Sequence, residues 1–438
     1  MNITIIGTGY VGLVSAACFA EMGNTVTCLD IDANKIQQLQ LGSIPIFEPY
    51  LEELCKRNIA AKRLSFTLDP VHALSGASIC FLAVPTDASP SGHANLNPLY
   101  QVLDTLSQSL QGPCLIVIKS TVPIGTSAKA FHYLQEKLQS RQAPWTCDVA
   151  FNPEFLKEGS AVNDFLKPDR IIIGSENLAT IALLKHLYTP FSISHDRILV
   201  MSSASAEMTK YAANAMLASR ISLMNEIANL CEKVDASIHD VRVGIGSDQR
   251  IGYHFLYAGL GFGGSCFPKD IQSLKLQMLE HHVDHDMIDA IVAVNEKQRR
   301  LMKKKLANYF RSLEGRTLTL LGLSFKPETD DIRQASSLAL IEQLKNEGCH
   351  LKVYDPAALE KVKRIYPYMS SITFCENEYE ALNGSDALVL ITEWKQFRQL
   401  DFDRIKTLMR QHAIFDGRNQ YCRKTLESMG FYYEGVGV

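Results

Sequence analysis

The sequence predicts an α/β protein of two doubly wound parallel sheets joined by a long central helix, and three observations predict it. Short apolar runs that end in small or polar residues alternate with helix-forming stretches in both halves of the chain. The first run, Asn2 to Ile6, enters three spaced glycines, Gly7, Gly9 and Gly12, and a second β-rich run, Thr25 to Leu29, closes on Asp30. Between the halves, Ala204 to about Val234 contains neither Gly nor Pro, as one long helix requires.

Taken in order, strand, Gly-x-Gly-x-x-Gly, helix (Leu13 to Met22, ended by Gly23), strand and acid make the signature of a Rossmann-like dinucleotide unit. Gly7 makes the tight turn, Gly9 lets a pyrophosphate approach, and Gly12 allows close helix–strand packing, with Tyr10 and Val11 inside the same turn. Asp30 is placed to accept both adenosine ribose hydroxyls and to repel a 2′-phosphate, so NAD is expected rather than NADP. Buried strands follow at Ile79 to Val84, Cys114 to Ile118, Asp148 to Phe151 and Ile171 to Gly174. Ligands of open α/β sheets sit at the carboxyl ends of strands, which puts Thr86, Ser120 and Thr121 near a cofactor. Helix capping or turn chemistry explains those hydroxyls equally well. Glu154 and Glu158, four apart after a strand end, either serve a site or line a solvated turn.

On the long helix Lys210 and Asn214 share a face. A helical lysine is usually solvated, but Tyr211, Ala212 and Ala213 suit a buried, functional one. The glycine-rich stretch Gly259 to Gly264 then leads to Ser265-Cys266-Phe267-Pro268-Lys269-Asp270. Proline favours the first turn of a helix, and a helix start together with Lys269 favours a thiolate on Cys266. Asp270 lies one turn on, so the stretch reads as an activated nucleophile beside a carboxylate; a glycine turn with a structural cysteine is the plain alternative. A helical region is expected from Asp270 to about Tyr309. A second α/β run follows: strand Thr317 to Leu321, helix Ser336 to Glu347, and strands Leu351 to Tyr354 (before Asp355), Ala387 to Ile391 and Ala413 to Phe415. It reads as a copy of the first that has lost the three-glycine turn and so binds something else. Lys326 and Arg418, just past strand ends, suit phosphates. Expected boundaries are 1–203 for the dinucleotide domain, 204–301 for the central helical domain with the cysteine loop, and 302–438 for the second Rossmann-like domain.

The 438 residues exceed what one core accommodates, and a net charge of −3 gives no general pull toward nucleic acid or an anionic membrane. Eleven scattered cysteines show neither a Cys-x-x-Cys pair nor metal-ligand spacing, so reduced thiols and no metal are expected. No apolar run is long enough to span a membrane, and the chain lacks a signal-type start, which points to the cytoplasm.

These pieces, in order, resemble the UDP-glucose/GDP-mannose dehydrogenase family over nearly the whole chain. The resemblance rests on Gly7-Thr8-Gly9-Tyr10-Val11-Gly12, Ser120-Thr121-Val122-Pro123, Asn152-Pro153-Glu154-Phe155-Leu156, Lys210 with Asn214, Gly263 to Asp270, Gly322 to Lys326, and Asp416-Gly417-Arg418. It implies two successive hydride transfers to NAD+ that take the C6 alcohol of UDP-glucose to a carboxylate; GDP-mannose is the alternative substrate. By that likeness Cys266 is the nucleophile beside the nicotinamide, Lys210, Asn214 and Asp270 surround the reacting oxygen, and Thr121 and Glu154 handle water. Phe155, Leu156, Lys157, Glu158, Gly263, Phe325, Lys326 and Arg418 are implied sugar-nucleotide contacts together with Glu154, Lys210 and Asn214. Arg250 is implied to reach the substrate of a second subunit, making a homodimer or larger homo-oligomer. Lys35, Glu158 and Arg333 are implied to lie near NAD. The chemistry agrees: an aldehyde carries no second hydride-donating alcohol carbon until a thiolate adds to it, and oxidation of the adduct gives a thioester that water cleaves.

Overall fold

Strands buried on both faces read as continuous apolar runs, and such strands form the centre of two parallel sheets. The computed structural model describes residues 1–89, 91–192 and 197–438. The chain divides into one unit of Met1–Ala213 with Gln272–Glu280 and another of Asn214–Ile271 with His281–Val438. The helix Ser203–Val234 (32 residues) joins them.

In the first unit the strands are β1 (Asn2–Ile6), β2 (Thr25–Leu29), β3 (Leu64–Thr67), β4 (Ile79–Leu82), β5 (Leu115–Ile118), β6 (Val149–Phe151), β7 (Ile171–Gly174) and β8 (Ile198–Met201). Their order is β3-β2-β1-β4-β5-β6-β7-β8. Every neighbouring pair is parallel except β6 and β7, which meet antiparallel at Phe151 and Gly174. Successive residues of β4 feed opposite faces, Ile79 and Phe81 entering one core, Cys80 and Leu82 the other. The second unit holds β9 (Thr317–Leu321), β10 (His350–Tyr354), β11 (Ile372–Phe374), β12 (Ala387–Leu390), β13 (Ala413–Asp416) and β14 (Tyr432–Glu434). These are all parallel, in the order β11-β10-β9-β12-β13-β14. The two doubly wound sheets and the long helix are the predicted architecture.

The second sheet repeats the first down to single hydrogen bonds. At the end of β2, Asp30 accepts from the Thr8 backbone N–H (2.7 Å) and hydroxyl. At the end of β10, Asp355 accepts from the Leu323 and Ser324 backbone N–H groups and the Ser324 hydroxyl at 2.6–3.2 Å. Asp355 also takes the N–H groups of Ala357, Ala358 and Trp394, so its carboxylate is filled by its own fold. Asp30 Oδ1 accepts only a 3.1 Å bond from Asp32 N–H among the described residues. That difference separates a turn open to a ligand from its closed copy.

The helical region expected from Asp270 to Tyr309 is three helices, Phe267–Glu280, Asp286–Gln298 and Leu301–Phe310. Pro268 occupies the first turn, so the helix starts three residues earlier than expected. The interruptions follow local chemistry: His282 adopts φ 55° after the first helix, and Arg300 precedes the third.

The first unit buries several charges, among them Lys119. Lys119, just past β5, is 3% exposed; its Nζ donates to Asn152 Oδ1 at 3.0 Å and lies 5.5 Å from the Phe165 ring centre. Burial pushes its ammonium down to about 8, against the attraction of Glu154. Between that value and the roughly 10.4 of a free lysine, the unfolded chain binds more protons than the native one, so stability rises with pH across this window. Below pH ~8 the buried charge costs a constant few kcal/mol, of order 3 from a shift of this size. Lys119→Met should therefore melt above the parent at pH 7, with the advantage shrinking towards pH 10. An equal or lower melting temperature at pH 7 would contradict a buried charge.

Candidate active site

The dinucleotide turn is set by two close approaches. Gly7 takes φ +97°, and a Cβ on Gly12 would lie 1.9 Å from the Gly7 carbonyl oxygen, so neither position accepts a side chain. A Cβ on Gly9 would meet nothing within 4 Å, leaving the turn open to a pyrophosphate. Burial alone would raise the Asp30 carboxyl; the hydrogen bonds from Thr8 and Asp32 and the Lys35 ammonium at 3.2 Å outweigh it and hold the group below its ordinary value. An ionised acceptor at the end of β2 beside an open glycine turn fits the ribose and pyrophosphate of NAD. The Thr86 hydroxyl donates to the Thr121 carbonyl at 2.9 Å, and Ser120 donates to the Val84 carbonyl at 2.6 Å. They tie the ends of β4 and β5 together.

Glu48, for which the sequence carries no signal, is a junction in this unit. Its carboxylate, 7% exposed, accepts from Gly159 N–H (2.6 Å), Ala161 N–H (2.7 Å) and the Tyr10 hydroxyl. The glycine turn is thus fastened to the segment that carries Glu154 and Glu158. Burial and the Glu48 carboxylate push the Tyr10 phenol far up, so it remains a donor.

Glu154 and Lys210 form a buried pair, 9% and 4% exposed, with Nζ to Oε1 at 3.0 Å. Lys210 also donates to the Glu154 carbonyl at 2.6 Å, and Leu156 N–H donates to the other carboxylate oxygen at 2.6 Å. Burial raises the Glu154 carboxyl, but Lys210, the Leu156 N–H and Lys119 together hold it below the ordinary range. The lysine on the long helix is therefore buried, as the alanine-rich context implied. Phe155 lies between cations, with the Arg170 guanidinium 3.7 Å and Lys210 Nζ 5.1 Å from its ring centre. Lys157 pairs with Asp164 at 3.1 Å.

In the second unit the glycine loop, which holds Gly263, meets three more of the named residues. A Cβ on Gly263 would lie 2.3 Å from the Gln334 carbonyl oxygen, and one on Gly264 would lie 2.9 Å from the Phe325 ring. Gly264 N–H donates to the Arg333 carbonyl at 2.9 Å, and Gly259 faces Arg418 Nη1. Gly263, Phe325, Arg333 and Arg418 are thus gathered around one loop, with Lys326 Nζ 5.5 Å from the Phe325 ring centre. Cys266 follows as the N-cap, its carbonyl accepting the first helical bond from Asp270 N–H at 2.8 Å. Its thiol is exposed, whereas burial pushes the Cys55 and Cys114 thiols up to about 12. Asp270 is 1% exposed and held from two sides, by Asn214 Nδ2 at 2.6 Å and Lys269 Nζ at 2.6 Å. The Lys269 ammonium, expected beside Cys266, is bonded to Asp270. Arg250 is 89% exposed and forks onto Asp248, two residues back. Sequence reasoning missed Glu48, Lys119 and Arg170; only Lys119, beside a strand end, carried a positional signal.

Comparison with known proteins matches three domain models of one family in chain order. These are the NAD binding domain of the UDP-glucose/GDP-mannose dehydrogenase family over residues 1–192, its central domain over 204–297 and its UDP binding domain over 319–423. A UDP-glucose 6-dehydrogenase of Pseudomonas aeruginosa is 45% identical over 100% of this chain and 97% of its own length. UDP-glucose 6-dehydrogenase TuaD of Bacillus subtilis is 41% identical over 100% and 93%. The solved structure of a UDP-glucose dehydrogenase from Pyrobaculum islandicum superposes with a TM-score of 0.90 at 33% identity, covering 100% of this chain and 97% of that one. With all three models matched and full-length relatives above 40% identity, the chain belongs to the UDP-glucose/GDP-mannose dehydrogenase family.

Proposed function

We propose that this chain is a cytoplasmic enzyme that oxidises UDP-glucose to UDP-glucuronate at the expense of two NAD+. The observation that carries the reading is an exposed cysteine capping a helix whose first turn presents a buried carboxylate bonded to an amide. Relatives that share the whole chain and bear the name UDP-glucose 6-dehydrogenase support it. Residues 1–203 hold NAD, 204–301 carry the cysteine loop, and 302–438 hold the UDP-sugar.

Bound NAD+ supplies the hydride acceptor for each oxidation. The turn at Gly7, Gly9, Tyr10, Val11 and Gly12 receives its pyrophosphate and Asp30 its ribose hydroxyls, with Lys35, Thr86, Ser120, Thr121, Glu158 and Arg333 lining the rest. Phe155, Leu156, Lys157, Gly263, Phe325, Lys326 and Arg418 hold the nucleotide sugar. In the first oxidation the C6 hydroxyl passes its proton to water in the site as C6 gives up a hydride, which leaves an aldehyde. The Cys266 thiolate then adds to that carbon; the C–S bond forms and the carbonyl pair becomes an oxyanion. Lys210 and Asn214 stabilise this oxyanion, with Asp270 fixing the amide. Loss of the second hydride gives a thioester. Glu154, helped by Thr121, takes one proton from water as its oxygen attacks, the C–S bond breaks to release thiolate, and the carboxylic acid so formed loses its remaining proton to solvent. While Lys210 is bonded to Glu154 the carboxylate is a weak base. When Lys210 turns to the oxyanion, Glu154 loses its strongest partner and its basicity rises.

A second copy of the chain covers the long helix. Met216, Leu223 and Leu230 recur every seven residues at 64%, 57% and 56% exposure, more apolar surface than a solvated helix face usually carries. The exposed Arg250 serves the copy's sugar nucleotide.

Two experiments test these statements. Purified enzyme given a panel of UDP- and GDP-sugars should release two NADH per UDP-glucose and leave GDP-mannose untouched. The same assay should be far slower with NADP+, a preference that weakens in Asp30→Ala. One NADH per sugar, preference for GDP-mannose, or equal use of both cofactors would overturn the corresponding part. For the second copy, mixed Arg250→Ala and Cys266→Ala chains should recover activity that neither has alone; verified mixed dimers that stay inactive would count against a shared site.

A further inference from the structure

The second unit holds a cavity for which the proposed reaction has no use. It measures about 1040 Å³, at the top of the range of small-molecule sites, roughly 300–1,000 Å³. Seven lysines and arginines line it, six of them between residues 297 and 305, against three glutamates. The whole chain carries a net charge of −3, so a surplus of four positive charges here is a local concentration and creates a positive potential. Lys305, Lys303 and Arg299 already have carboxylate partners at 2.5–3.1 Å. Among the described residues Lys233, Lys297, Arg300 and Lys304 form no ion pair.

A merely solvated cationic face would leave its floor satisfied. This floor is not: Asn229 Oδ1, Arg299 Nε and Gln343 Oε1 are buried without a hydrogen-bond partner, and all three residues line the cavity. Buried polar atoms are nearly always paired, so three orphans in one cavity mark a place where a ligand or its waters complete the bonding.

The same floor holds the glycine loop ahead of Cys266. Gln298 donates to the Gly259 carbonyl at 2.7 Å and accepts from Asn229 Nδ2 at 3.0 Å. Asn295, outside the cavity lining but on the same helix as Gln298, brackets Phe262 through both its backbone groups, at 2.8 and 3.1 Å. Arg299 packs on Gly261, where an added Cβ would lie 3.3 Å from Arg299 Cγ. A ligand that engages Arg299 and Asn229 therefore pulls on the two side chains next to the loop.

We propose that this cavity binds an oligophosphate and that its occupancy shifts the glycine loop and the Cys266 thiol that follows it. A single carboxylate would neutralise one of the four surplus charges. Linked phosphates neutralise several at once, and their oxygens accept from the four cations that have no ion pair.

The test uses the full chain and inorganic tripolyphosphate. Calorimetry with UDP-glucuronate and NADH present should show salt-sensitive binding, weakened at least ~10-fold in Lys297→Glu/Arg300→Glu/Lys304→Glu by loss of charged contacts, with the KM for UDP-glucose unchanged. Iodoacetamide labelling of Cys266, mapped by mass spectrometry, should change by about 5-fold or more on adding tripolyphosphate, as expected of two coupled sites, and should not respond in the triple variant. This readout needs only the exposure of the thiol, so it stands apart from any catalytic assignment. Binding that UDP-glucuronate and NADH abolish, or that the triple variant keeps in full, would overturn the cavity as the site. Binding that leaves Cys266 labelling unchanged would overturn the coupling.

Discussion

A carboxylate removed from water must be met by donors, and Asp270 is 1% exposed. Its two partners come from different places in the chain, Asn214 on the long helix and Lys269 on its own. The pair of bonds fixes the first turn of the helix that Cys266 caps, and the cap fixes where the glycine loop must end. The glycines follow from this constraint. The loop runs against the Gln334 carbonyl and the Phe325 ring so closely that Gly263 and Gly264 admit no Cβ. Removing the Asp270 carboxylate would leave a lysine and an amide short of a partner inside the protein, a loss that reaches the cysteine through one turn of helix.

The first unit is built around charges of its own. Glu154 and Lys210 neutralise one another out of water, while Lys119 adds a second buried cation that only partly retains its proton at alkaline pH. A buried pair contributes little net stability, since desolvation offsets the attraction. In the proposed reaction its value is chemical: an ionised carboxylate and an ammonium are held ready for whichever one the reaction calls on. Glu48 fastens the dinucleotide turn to the Glu154 segment with three hydrogen bonds.

What could be read from the sequence divides along physical lines. The ten strands recognised beforehand all lie inside their sheets, where burial on both faces writes an unbroken apolar run. The four that were missed, Leu64–Thr67, Ile198–Met201, Ile372–Phe374 and Tyr432–Glu434, are the four sheet edges, short and partly exposed. Candidate site residues inside glycine-rich or strand-end motifs stand out because the backbone there demands particular residue types. Glu48 does not, since a carboxylate in an irregular segment looks solvated until the chain folds over it. The partners of Lys269 and of Thr86 were equally hidden, because a side chain's choice between neighbours is made in three dimensions.

The central claim is that Cys266 carries the sugar between two oxidations. Losing a covalent nucleophile costs about 10⁴-fold or more in turnover in other enzymes. Cys266→Ala should therefore bind NAD+ and UDP-glucose yet form almost no UDP-glucuronate. Cys266→Ser should hold the sugar as a slowly hydrolysed ester, seen in the intact mass after incubation with substrate and NAD+. Near-normal formation of UDP-glucuronate by Cys266→Ala would show the cysteine to be structural and contradict the account.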